Sequence, residues 1–128
     1  MTTDLTYLVW AVALTIVQVL VASSGAMIQI PLPVLAGNRE AALDARGWVG
    51  RAQRAHRNML ESLVLFAALV LVAHVSGRAN ATTALGAAMF FYARLAYAAI
   101  YWFGIAWVRT VAWSLAMVGL VLILLQLI

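Results

Sequence analysis

The chain has 128 residues, 66% of them hydrophobic and only 9% charged, with a mean hydropathy of +1.02. A soluble domain carries about a quarter charged residues, so this composition excludes an ordinary water-soluble globule and makes lipid the solvent for much of the surface. The net charge is +4, all of its basic residues are arginine, and the absence of cysteine excludes a disulfide, a thiolate nucleophile and a cysteine metal site.

A helix needs about 20 apolar residues to cross the hydrocarbon core. The first run, 5–30, carries no charge; its polar members are Thr, Ser, Gln and one Tyr. Pro31 and Pro33 stop it, because proline lacks the N–H and disfavours helix just before itself. Met-Thr-Thr-Asp supplies no basic start and the apolar stretch is too long for a leader, so a retained span is expected. The second span is expected over 52–76, where Glu61, Ser62 and His74 alone interrupt the apolar run from Met59. The third is expected over 80–104, with Arg94 in its middle and Gly104 weakening its end. The fourth is expected over 108–128, uncharged beyond Arg109. These runs are too long and continuous for the alternating strands of a membrane barrel. No internal repeat or low-complexity linker is evident, and the one long connection covers about 31–50. The expected architecture is all-α: an integral membrane four-helix bundle formed by one domain over 1–128.

Arginine placement sets the expected orientation. Arg39, Arg46, Arg51, Arg54 and Arg57 cluster in the first loop and the start of the second span, and Arg109 lies in the third loop. The opposite side has Arg78, with Asp4 at the N-terminus outside the first span. Loops one and three are therefore expected in the cytoplasm and both termini outside. Trp48, Trp102 and Trp107 fall near the cytoplasmic interface and Trp10 near the outer one, the level that amphipathic rings prefer.

Polar residues inside the spans carry the functional signal. Arg51, Arg54, Asn58 and Glu61 are spaced three, four and three, which sets them on one face of the second helix. Arg94, Tyr97 and Tyr101 share a face of the third in the same way. Counting inward at 1.5 Å per residue puts Glu61 level with Arg94, Asn58 with Tyr97 and Arg54 with Tyr101. A polar seam between helices two and three, opening to the cytoplasm, is expected. An unpaired charge at mid-membrane costs about 2.5–3.5 kcal/mol or more, so a Glu61–Arg94 ion pair is expected. Such a pair serves a ligand site or simply ties two helices together. Arg39 and Arg46 need no role beyond topology, and the basic loop also suits anionic lipid headgroups. His56 points away from the Arg54–Asn58 face, and His74 has no partner at metal-ligand spacing. No metal site is expected, and no phosphate loop, serine–histidine–acid set or nucleic-acid signature is present.

The segment Arg51-Ala-Gln-Arg-Ala-His-Arg-Asn-Met-Leu-Glu61 resembles the helix-two signature of the MAPEG family, the membrane-associated proteins in eicosanoid and glutathione metabolism. Its core pattern is Arg-Ala-His/Gln-x-Asn-x-x-Glu. A second match is Ala93-Arg94-x-x-Tyr97-x-x-x-Tyr101, followed by Arg109. The resemblance covers most of the chain, most specifically 51–66 and 91–110. It implies a homotrimer of four-helix subunits that binds glutathione as co-substrate between neighbours, near the cytoplasmic side. By position, Arg51, Arg54, Asn58, Glu61, Arg94, Tyr97 and Tyr101 resemble glutathione contacts, and Arg109 resembles the catalytic arginine that stabilises the thiolate. The likeness departs at the end of helix one, where members carry arginine and this chain has Met27-Ile-Gln-Ile-Pro-Leu-Pro, and at Ser62, where some members have an aromatic or amide residue.

The implied chemistry is coherent. Glutathione's carboxylates suit bidentate arginines, and Glu61 suits its ammonium group. The reactive species is the thiolate, and a free thiol has a pKa of about 8.5; a guanidinium beside the sulfur favours the charged form. The implied function is a membrane-bound transferase or peroxidase acting on a lipophilic small molecule that arrives from the membrane lipid, with a bacterial inner membrane as the expected setting. Two other readings remain at this point. One is a non-catalytic MAPEG-like trimer that binds lipid or is structural. The other is a small four-helix multidrug exporter, which needs a carboxylate in its first span.

Overall fold

The structure, a computed structural model, describes residues 1–31, 33, 36–37, 46–103 and 106–128. Arg39 of the basic loop and Gly104, expected to weaken the third helix, lie outside the described residues, as does the side chain of Trp102. Among the described residues, four long helices follow in chain order: α1 (Thr3–Gln29), α2 (Gly47–Val75), α3 (Ala81–Phe103) and α4 (Ala106–Leu127). Each is long and apolar enough to cross a bilayer, and there is no strand among the described residues. The protein is an all-α integral membrane bundle.

Local chemistry sets the helix ends. Thr2 caps α1, its hydroxyl accepting from the Leu5 N–H at 3.4 Å. Asp4, expected outside the first span, instead lies in the first turn of α1 with its side chain buried. Near the N-terminal end of the helix dipole a carboxylate is favourable. The second helix starts at Gly47, five residues before the start of the expected span at 52. Arg46 gives it no side-chain cap. The amide of Gln29 serves instead: Nε2 donates to the Arg46 carbonyl and Oε1 accepts from the Arg46 N–H, both at 2.9 Å. One side chain thus fastens the end of α1 to the start of α2.

At the far end, Gly77 takes φ +72° and closes α2. Asn80 then caps α3, its Oδ1 accepting from the N–H groups of Thr82 and Thr83 at 2.8 and 3.0 Å. Arg78 Nη1 donates to the Leu127 carbonyl at 2.7 Å, and Asn80 Nδ2 to Gln126 Oε1 at 3.0 Å. The α2–α3 turn is therefore tied to the end of α4.

α1 packs on α2 and α3, and α4 packs on α3 and α2. The α3–α4 contact is the closest, because Gly86 and Gly119 meet backbone to backbone. Phe66 of α2 and Phe90 of α3 stack at 4.1 Å among Met59, Val70, Leu120 and Ile123. This stack fixes the antiparallel register of α2 and α3, and thereby the level at which their polar residues meet.

Candidate functional site

The polar residues gather toward the arginine-rich end of the bundle. Arg54 of α2 donates from Nε to the Tyr101 hydroxyl of α3 at 3.0 Å. Arg109, in the first turn of α4, lies over the same ring, its guanidinium carbon 4.5 Å from the Tyr101 centroid. Tyr101 thus holds one arginine by its hydroxyl and another by its face. Tyr97 lies one turn deeper, 5.5 Å from Tyr101 between centroids, and the Arg94 guanidinium stacks 4.2 Å from the Tyr97 centroid.

Beside these rings is a cavity of about 160 Å³, lined by Asn58, Tyr97, Arg109, Thr110 and Trp113. It is smaller than the roughly 300–1,000 Å³ of a drug-sized ligand pocket. Asn58, Tyr97 and Thr110 each carry both a donor and an acceptor, Arg109 carries donors alone, and Trp113 brings an apolar ring to the wall. Among the described residues no cluster of His, Asp or Glu is arranged to hold a metal.

The expected seam is real in two of its three levels. Arg54 meets Tyr101, and Asn58 and Tyr97 share the cavity wall. The expected Glu61–Arg94 ion pair is not formed. Arg94 reaches Asn58 instead, Nη1 to Oδ1 at 2.8 Å, with Nε against Met59 Sδ at 3.4 Å. Glu61 is exposed on the outside of α2, without a salt bridge among the described residues. The cause is helical phase. Three residues turn a helix by about 300°, so Glu61 sits about 60° round from Asn58, past the edge of the contact with α3.

Arg94 itself is only 1% exposed and lies behind Asn58 and Tyr97 rather than on the cavity wall. Arg51 is half-buried one turn nearer the arginine-rich end than Arg54. Thr110 and Trp113 were not singled out in the sequence. Trp113 follows Arg109 by four residues, and that spacing on one helix face is the signal that would have found it.

A family model described as MAPEG family matches residues 5–128. No curated protein and no solved structure matches the chain significantly. The match runs from the first turns of α1 through both polar motifs to the last residue, and the chain belongs to the MAPEG family.

Proposed function

We propose that the protein is a membrane-bound glutathione-dependent transferase or peroxidase, with Arg109 as the group that stabilises the glutathione thiolate. The observation that carries this reading is the placement of the Arg109 guanidinium on the wall of a cavity it shares with Asn58 and Tyr97, braced from behind by the Tyr101 ring. A thiol seated there loses its proton to water and leaves its sulfur charge beside a fixed cation. A pKa lowered by two units corresponds to about 2.7 kcal/mol and turns a few per cent of thiolate at neutral pH into a majority.

The cavity takes the cysteinyl part of glutathione, and the rest of the tripeptide needs more wall than one subunit offers. Arg54, Arg57 and Glu61 are exposed on α2, and each charge left facing hydrocarbon costs about 2.5–3.5 kcal/mol. A homotrimer that buries this face against neighbouring copies removes that cost and completes the site. Glu61 then meets the glutathione ammonium group, and Arg51 and Arg54 its carboxylates. Arg94 acts from behind the wall. The arginine-rich end faces the cytoplasm, with a bacterial inner membrane as the setting.

The second substrate is lipophilic and enters from the bilayer past Trp113. In the transferase reaction, sulfur bonds to an electrophilic carbon as that carbon's bond to its leaving group breaks. In the peroxidase reaction, two glutathiones give up two electrons and two protons, and a hydroperoxide becomes an alcohol and water. The test is turnover of glutathione with a lipophilic chloronitroarene and with a fatty-acid hydroperoxide, in wild type and Arg109→Ala. Loss of turnover in the variant with retained assembly supports the reading. No turnover in the wild type, with no glutathione bound, returns the pocket to the lipid-binding, non-catalytic alternative.

A further inference from the structure

Arg94 is the largest fully buried side chain among the described residues, yet it does not line the cavity. A guanidinium is costly to bury, and its partners show what it does there. All five of its N–H groups are donors, and it has no acceptor. The Asn58 atom that faces Nη1 at 2.8 Å is therefore the amide oxygen. An asparagine amide carries its oxygen on one side and its NH2 on the other. With the oxygen held toward Arg94, the NH2 group is turned away from it, and Asn58 is a cavity-wall residue. The same guanidinium stacks on Tyr97, the next wall residue, at 4.2 Å. Arg94 Nη2 is buried with no partner among the described residues. Asn58 is thus the oxygen partner on which the guanidinium depends, and the amide has no incentive to flip.

We propose that Arg94 is a positioning residue that locks Asn58 as a hydrogen-bond donor, so that the Asn58 NH2 and the Arg109 guanidinium together form an anion hole for sulfur. The inference rests on the glutathione reading for its natural ligand, but the anion hole exists without it. A fixed NH2 donor and a guanidinium aimed at one point favour the thiolate over the neutral thiol.

Three variants separate the parts. Arg94→Met keeps volume and removes the lock, Arg94→Lys restores a donor behind Asn58, and Asn58→Asp keeps the Arg94 partner but turns an acceptor toward the cavity. With purified, still-assembled protein, the ultraviolet thiolate signal is followed against pH. Arg94→Met is expected to cut the thiolate fraction about tenfold at a given pH below the midpoint, with glutathione affinity nearly unchanged. Arg94→Lys recovers much of the loss, and Asn58→Asp abolishes the signal. A parallel titration with iodide, a soft anion that quenches indole fluorescence, reads the hole without glutathione, and Trp113→Phe identifies the Trp113 share of the quenching. Saturable quenching weakened in Arg94→Met and Asn58→Asp upholds the anion hole, even where wild type gives no glutathione signal and the glutathione reading fails. Iodide binding and pH profile unchanged in a folded Arg94→Met protein overturn the inference.

Discussion

Replacing Gly119 by alanine tests the closest helix contact in the protein. A Cβ at residue 119 would lie 2.6 Å from the Gly86 carbonyl oxygen and 3.0 Å from the Phe90 nitrogen, where ordinary contacts begin at 3.4 Å. Both obstacles are backbone, so no side chain can swing aside. α3 and α4 must part, and overpacking of this kind costs about 1–3 kcal/mol. Alanine returns up to about 1 kcal/mol through its better helix propensity. Because the clash is with rigid backbone, a net loss of about 2 kcal/mol is expected, together with a weaker thiolate signal, since the same two helices carry Tyr101 and Arg109. Thermal unfolding in detergent measures the first and the ultraviolet titration the second. A Gly119→Ala protein as stable as wild type, or more so, would refute the close approach of α3 and α4.

Gln18→Met is expected to stabilise the fold by about 1 kcal/mol, because both polar atoms of this buried amide lack a partner among the described residues; a lowered melting temperature would reveal a partner for Gln18. Tyr101→Phe removes the acceptor of Arg54 but keeps the ring under Arg109, so it is expected to weaken glutathione binding several-fold while leaving the thiolate pH profile in place, and Tyr101→Leu to disturb both. Calorimetry and the ultraviolet titration distinguish the two effects. Gln29→Leu breaks both hydrogen bonds to Arg46, and faster amide exchange at Arg46 and in the first turn of α2 is the expected sign.

The architecture was legible because membrane spans are written in composition and length. Long apolar runs bounded by Pro31, Ser76-Gly77 and the Arg109 region left few alternatives. The α2–α3 seam was legible from the three-and-four spacing of Arg54, Asn58, Tyr97 and Tyr101. Depth counting placed Arg94 opposite Glu61, but depth alone ignores rotation about the helix axis. The 60° between Asn58 and Glu61 decided which of them Arg94 meets. The Gln29 clamp was not legible, since it joins residues 17 positions apart through a side chain that looked like a merely tolerated polar group in a span. Trp113 stood four residues beyond Arg109 in plain view, but a tryptophan in an apolar span is ordinarily lipid-facing, and only the cavity gives it another role.

The most direct test of the account is a glutathione titration of the detergent-purified protein at neutral pH, following thiolate absorbance in wild type and Arg109→Ala. The account predicts a saturable thiolate signal in wild type that Arg109→Ala loses while the protein stays folded and assembled. An equal signal in the variant would remove Arg109 from the chemistry, and no binding or thiolate in a folded wild type would contradict the enzyme reading.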